Sequence, residues 1–381
     1  MNIQSKLPNT ATSVFAVMTG LANEHNALNL SQGFPNFPIS DKLISLVNDH
    51  MKKGCNQYAP MPGVPQLREV IADKIHRLYG GEYYDCNTEI TIIPGATYGL
   101  YTAITAMIHP GDEVILFEPA YDSYIPAIKL CGGVPKPIAM DKTDYHIDWH
   151  RVKQALSPKT RMIIINTPHN PTGSVLMEKD MRELINLTKG TDIVILSDEV
   201  YEHLIFDGLP HESVAKYPEL RNRSFIMASF GKTFHATGWK MGYTAAPEFL
   251  MNEFRKIHQF NVFCCNTPMQ WAFADFLADS ENYEQLPRFY SQKRDYLTRA
   301  VSNSRFKTLP CHGTYFLLLD YSRISDEKEY DFAIRITKEY KLATVPVSPF
   351  YSSEVNNHTV RVCFAKTEET LDRAAEILNK I

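Results

Sequence analysis

Three short segments hold residue types that can do chemistry. In SFGKTFHATGWKMGY, residues 229–243, Lys232 follows an apolar run, sits among small residues and has Lys240 eight positions further on. A lysine so placed is either a solvated surface charge or an amine whose surroundings favour its neutral, reactive form. The GKT triplet invites a phosphate-binding P-loop, but that motif needs a glycine five residues before Gly231, and Ile226 stands there. In SDEVY, residues 197–201, Asp198 closes an apolar run and so brings a carboxylate to a strand end. Alone, it can cap a helix or bind magnesium. In NTPHNPTG, residues 166–173, Asn170 precedes Pro171 and Gly173, a turn composition that holds a side-chain amide in place or is simply a loop.

The elements that position these residues follow from the apolar patterning. EITIIP, EVILFEP, RMIIINTP, DIVILSDEV and SFIMASFGK are short β-rich runs, alternating with helical stretches and ending in polar or small residues. That rhythm implies βαβ units and a mostly parallel sheet covered by helices, an α/β fold in which ligands collect at the carboxyl ends of strands. Gly95, Tyr121, Asn170, Asp198 and Lys232 all fall at such ends. A long helix is expected near residues 285–300, and beyond it GTYFLLLDY, LATVPVSPF and TVRVCFA read as strands with a different texture. The domain change is placed there: residues 40–285 form the large domain, and residues 1–39 plus 286–381 form a smaller α+β domain. No Gly, Ser or Pro linker marks the boundary, and no internal repeat is present.

Bulk properties narrow the function. A chain of 381 residues is long enough for a second domain and a sizeable buried site. Net charge −4, 44% hydrophobic residues and a mean hydropathy of −0.25 describe an ordinary globular protein, with no basic excess to recruit nucleic acid. The seven cysteines are scattered without a CxxC, and the adjacent Cys264 and Cys265 cannot chelate one metal ion with usual geometry, so no metal is expected. The N-terminus lacks a basic start followed by an apolar core, and no apolar run reaches membrane-spanning length. Reduced thiols and a cytoplasmic location are the expectation.

In this order and at these separations the three segments resemble fold-type I pyridoxal-phosphate enzymes, specifically the class I/II aminotransferases. Further matches are SQGFPNF (31–37), QYAPMPGVPQLRE (57–69), GAT (95–97), EPAYDSY (118–124) and TVRVCFA (359–365). Within the family the resemblance is to bacterial methionine aminotransferases and the kynurenine/glutamine transaminase branch. It implies that Lys232 carries the cofactor aldehyde and then moves a proton, helped toward its neutral form by burial and by Lys240. Asp198 would pair with the pyridine nitrogen, and Tyr201 and Asn170 would donate to the phenolic oxygen. Gly95, Ala96 and Thr97 at a helix start, with Ser229 and Lys240, would hold the phosphate. Tyr58 would reach it across a homodimer interface, giving shared active sites. Tyr121 would stack on the ring, Arg361 would grip the substrate α-carboxylate bidentately, and Gly33 would let backbone approach that carboxylate. Core packing for Tyr201, a structural ion pair for Arg361 and a simple turn for Gly33 are the plain alternatives.

The same resemblance bears on the partners, a small amino acid and a keto acid. Phe15, Phe34, Phe263 and Tyr315 lie in segments that border substrate in related enzymes, and no second cation for a side-chain carboxylate is located. That favours methionine, aromatic or glutamine-like donors. Two other readings compete. A β-lyase acting on cysteine conjugates would use the same residues and release pyruvate and ammonia without a keto-acid acceptor. A non-enzymatic sensor would need a DNA-binding domain, and only about forty residues precede the main sheet.

Overall fold

The computed structural model describes residues 1, 3–8 and 10–381. Its principal sheet has seven strands: β1 (Ile90–Ile93), β2 (Glu113–Glu118), β3 (Val134–Ala139), β4 (Thr160–Asn166), β5 (Val194–Asp198), β6 (Ser224–Ser229) and β7 (Gly242–Ala245). Their order across the sheet is β1-β7-β6-β5-β4-β2-β3. Neighbours run parallel except at β7, which is antiparallel to both β1 and β6. Every residue of β1, β5 and β7 is buried, as expected of strands covered on both faces.

Five of these strands coincide with the apolar runs of the sequence; β3 and β7 were not anticipated. Pro135 and Pro137 argue against a strand, but β3 lies at the sheet edge, where half its N–H groups need no partner. The four-residue β7 is too short to show a period. It depends on Gly242, where a Cβ would come within 2.3 Å of Ala228 O on β6.

A second, antiparallel sheet is built from β8 (Lys307–Thr308), β9 (Phe316–Asp320), β10 (Val345–Pro346) and β11 (Thr359–Cys363), in the order β10-β11-β9-β8. The run LATVPVSPF yields two short strands and a turn of 3₁₀ helix at Ser348–Phe350 rather than one strand. Of these, Leu342–Ala343 pairs in parallel with Leu28–Asn29 and ties the N-terminal segment to this sheet. The long helix spans Leu286–Ala300, with Pro287 in its first turn, where a missing N–H costs little. None of the described helices is long and apolar enough to cross a membrane.

Register sets the functional edge. Asn166 lies beside Asp198, and Asp198 beside Met227, so the carboxyl ends of β4, β5 and β6 present Asn166, Asp198 and Ser229 in a row. Just past β5, Glu202 is anchored in the core by Lys74 Nζ at 2.6 Å, and both side chains are almost fully buried. Tyr243 of β7 joins them, donating to Glu202 at 3.1 Å. Replacing Lys74 with Met strands that carboxylate, so Lys74→Met should lower unfolding stability by about 3–5 kcal/mol in urea titrations. An unchanged midpoint would show that the pair does not hold this segment.

Candidate active site

A cleft of about 170 Å³ opens at this edge. Lys232 stands in it on the single helical turn Phe230–Thr233 that follows β6. Its Nζ donates to Gly33 O at 3.1 Å and lies 5.8 and 5.7 Å from the ring centres of Tyr201 and Tyr315. Burial, reinforced by the positive charges of Arg361 and Lys240, brings the amine down to about 8. Asp198 faces it from the end of β5. Burial lifts this carboxyl to about 6, against the pull of a 2.6 Å hydrogen bond donated by the Tyr124 hydroxyl to Oδ2.

One end of the cleft is suited to an anion. Gly95, at φ 86°, precedes the helix Ala96–Met107 and offers no side chain to cap its first N–H groups. A Cβ at that position would sit 3.3 Å from Lys240 Cε and Nζ, so glycine lets the lysine lie over the helix start. Lys240 has no hydrogen bond or ion pair among the described residues. An uncapped helix N-terminus beside a free ammonium attracts negative charge through both its N–H groups and its dipole. Ser229 completes this end, and Thr97 Oγ1 lies 3.1 Å from the Tyr121 hydroxyl.

The other end is built around Arg361, which β11 carries into the gap between the two sheets. Its Nη1 donates to Asn170 Oδ1 at 2.7 Å and its Nη2 to Ser31 O at 3.3 Å. Its buried Nε has no partner among the described residues. The guanidinium lies 3.8 Å from the ring centre of Phe316 and 5.0 Å from that of Phe15. Asn170 is held in turn by Asn166, whose Oδ1 accepts from Asn170 N at 2.9 Å while its amide donates to Asp198 O at 2.8 Å. The cleft therefore brings a readily deprotonated amine together with a carboxylate and an anion site, and Asn170 joins a guanidinium to them. That suits proton transfer on an elongated ligand with a negative group at each end.

The family model for class I and II aminotransferases matches residues 25–378. The chain belongs to that family. This aminotransferase is 48% identical over 379 residues to methionine aminotransferase of Escherichia coli, covering 99% of this chain and 98% of that one. It is 34% identical to kynurenine–oxoglutarate transaminase 3 of Rattus norvegicus, covering 96% and 87%. A crystal structure of an Escherichia coli protein with methionine aminotransferase function superposes with TM-score 0.98 at 47% identity, covering 100% of both chains.

The cleft of the aminotransferase brings together Gly95, Ala96, Thr97, Tyr121, Asn170, Asp198, Tyr201, Ser229, Lys232 and Lys240. Tyr315 joins them by donating to Gly33 O at 2.5 Å, and Arg361 through Asn170. Gly33 is tied to the cleft by Lys232 and Phe15 by Arg361, whereas Tyr58, Phe34 and Phe263 are not among its lining. Tyr58 is 83% exposed and packs edge-on against Phe263, itself 44% exposed, at 5.5 Å. The ring of Phe34 is also exposed, while its carbonyl accepts from Lys366 Nζ at 2.8 Å. Sequence reasoning assigned nothing to Asn166 or Tyr124. Asn166 carried the same signal as Asp198, a polar residue closing an apolar run; Tyr124 carried none apart from its place in EPAYDSY.

Lys232→Met tests the electrostatics of the cleft. A shift from 10.5 to about 8 means that the charged amine costs the fold about 3 kcal/mol at neutral pH. The ligand-free variant should therefore melt higher than the parent while losing turnover. That gap is full below about pH 8, where the folded amine is charged, and shrinks as pH rises toward 10.5, because the parent regains stability there. A variant that melts lower would contradict this account.

Proposed function

We propose that this aminotransferase uses pyridoxal phosphate held on Lys232 to move the amino group of an apolar or aromatic L-amino acid, methionine first among them, to an α-keto acid. The observation that carries the reading is one cleft that holds the Lys232 amine, buried Asp198 and an uncapped helix start, with buried Arg361 joined to it through Asn170. The residues fit the cofactor. Lys240 lacks a partner within the described residues, the first turn of Ala96–Met107 lacks a side-chain cap, and Arg361 Nε is left unpaired for an incoming carboxylate.

When bound, the cofactor supplies an aldehyde that accepts the amino group and a ring that withdraws electrons from the Cα–H bond. The chain does the rest. Lys232 Nζ takes the proton from substrate Cα, and with a pKa near 8 a useful fraction of it is neutral near physiological pH. Asp198 would hold the ring nitrogen. Because Asn170 Oδ1 is engaged by Arg361, its amide nitrogen is the group left to donate, alongside the Tyr201 hydroxyl, to the phenolic oxygen. Ala96, Thr97, Ser229 and Lys240 would bind the phosphate, and Tyr121 would cover the ring face. Arg361 and the Gly33 backbone would hold the substrate carboxylate, fixing the angle at which the Cα–H bond breaks.

Two observations support the substrate class. Two of the relatives, at 48% and 34% identity, act by their names on methionine and kynurenine. Among the described residues the cleft's cations are Lys232, Lys240 and, through Asn170, Arg361, each already given a role, which leaves a side-chain carboxylate without a partner. Phe15 and Tyr315 stand at the Arg361 end as apolar walls. The exposed pair Tyr58 and Phe263 fits a role in a second copy's site, as a homodimer with shared active sites requires, and residues 40–285 and 1–39 plus 286–381 would be the two domains of each subunit.

Adding methionine to the cofactor-loaded protein with no keto acid present should shift its violet absorption band to shorter wavelength and release the matching keto acid once per site. Absence of any band after pyridoxal phosphate is supplied would sink the cofactor assignment; a band that methionine does not shift would sink only the donor. Arg361→Ala should raise the methionine KM by roughly 10- to 100-fold, the worth of a charge-assisted pair, while the absorption band persists. An unchanged KM would remove Arg361 from the substrate site.

A further inference from the structure

Tyr124 opens the helix Tyr124–Leu130, three residues after Tyr121. It is 3% exposed, and its ring packs edge-on against Tyr121 at 5.6 Å. Its hydroxyl donates to Asp198 Oδ2 at 2.6 Å, the only side-chain hydrogen bond that Asp198 receives among the described residues. The remaining oxygen, Oδ1, has just a long 3.4 Å contact from Val200 N. Beside Tyr124 lies a hollow of about 10 Å³ lined mostly by apolar side chains, and its three polar ones are engaged elsewhere: Asn166 with Asp198 O at 2.8 Å, His169 with Thr172 at 2.7 Å and Ser174 with Thr172 at 2.9 Å. The phenol hydroxyl thus has a single hydrogen-bond partner among the described residues, the Asp198 carboxylate. Of the two carboxylate oxygens, one is tied and one is available.

We propose that Tyr124 is a positioning residue for the reaction, acting through Asp198: its hydroxyl clamps Oδ2 and so presents Oδ1 to the ring nitrogen of the bound cofactor. This rests on the reading of Asp198 as the partner of that nitrogen. Clamping orients the carboxylate, and it also stabilises the charged form that the nitrogen needs, because a donor to a carboxylate favours its ionised state. Burial works the other way, as does the neighbouring carboxylate of Glu199, while Lys232 favours the ionised form. Tyr121 and Tyr201 also face this group, and burial holds both of them above the ordinary tyrosine range, hence neutral. Burial, and then the charge of Asp198, push Tyr124 well above its ordinary range too, so it keeps its proton and serves as a fixed donor rather than an acid. A neutral donor is what the place requires: a cation there would compete with the ring nitrogen for the same charge.

The test compares parent, Tyr124→Phe and a protein with a fluorinated tyrosine at position 124. Two readouts need no turnover: the carbon-13 titration of Asp198 in the cofactor-free protein, assigned by Asp198→Asn, and the affinity of that protein for pyridoxal phosphate. Tyr124→Phe keeps the ring and loses the clamp, so Asp198 should titrate at higher pH and the cofactor should bind roughly 10- to 100-fold more weakly. The fluorinated phenol is a stronger donor and should move the titration of Asp198 the opposite way. If both versions titrate and bind cofactor as the parent does, Tyr124 only fills space and the proposal falls. If the phenylalanine variant does not fold, the fluorinated protein decides by the same criterion. Asp198→Asn that binds cofactor and turns over like the parent would overturn the underlying reading of the site and this proposal with it. Loss in Asp198→Asn alongside an indifferent Tyr124→Phe removes the role of Tyr124 alone.

Discussion

The cleft has to dry an amine without neutralising everything around it. In the proposed role Lys232 needs a useful neutral fraction, and shielding from water beside two other cations favours that form. The same shielding pushes Asp198 up to about 6, close to losing the charge that its proposed role needs. The two requirements pull in opposite directions within one small space. They are reconciled by what touches each group: Lys232 faces a carbonyl oxygen and two aromatic rings, whereas Asp198 receives a phenolic hydrogen bond. Hydrogen bonding, rather than distance from water, separates their behaviour.

No single part of the chain builds this environment. The principal sheet supplies Asp198, Lys232 and the helix start at Gly95, in a row set by strand register. The antiparallel sheet supplies Arg361, and the N-terminal segment supplies the carbonyl of Gly33. At the cleft they meet through Lys232 to Gly33 O, Arg361 to Asn170 Oδ1 and to Ser31 O, and Tyr315 to the same Gly33 O. Each is a hydrogen bond between segments far apart in sequence, so the cleft exists only when both sheets are folded and packed.

The segment after β5 shows how the rigidity is obtained. Asp198 and Tyr201 turn toward the cleft, while Glu199 and Glu202 turn into the interior. Glu199 accepts from Ser197 Oγ at 2.7 Å and lies 2.9 Å from His211 Nε2, and Glu202 is held by Lys74 and Tyr243. Buried carboxylates are costly unless fully partnered, and partnered in this way they leave the backbone little freedom. The side chains that face the cleft are thus mounted on a segment fastened by side chains that face away from it, which is the usual requirement for a preorganised site.

Much was legible in local pattern. Continuous apolar runs can be satisfied only by burial on both faces, so five strands of the principal sheet and their order in the chain could be read directly, as could Asp198 and Lys232 at their ends. Patterning was silent on β3, whose prolines are tolerated because it lies at an edge, and on β7, whose four residues return antiparallel through Gly242. The sequence by itself determined which reactive groups stand just after strands, the Lys232 amine and the Asp198 carboxylate among them, because residue type and position after a strand are local properties; it was the resemblance to a family that pointed them toward amino transfer. Only the tertiary structure decided that Tyr124 meets Asp198, that Asn166 links Asn170 to Asp198, and that Arg361 crosses from the second sheet. Those pairings depend on strand register and on the packing of one sheet against the other, and both are set by contacts among residues too far apart in the chain for any local pattern to encode.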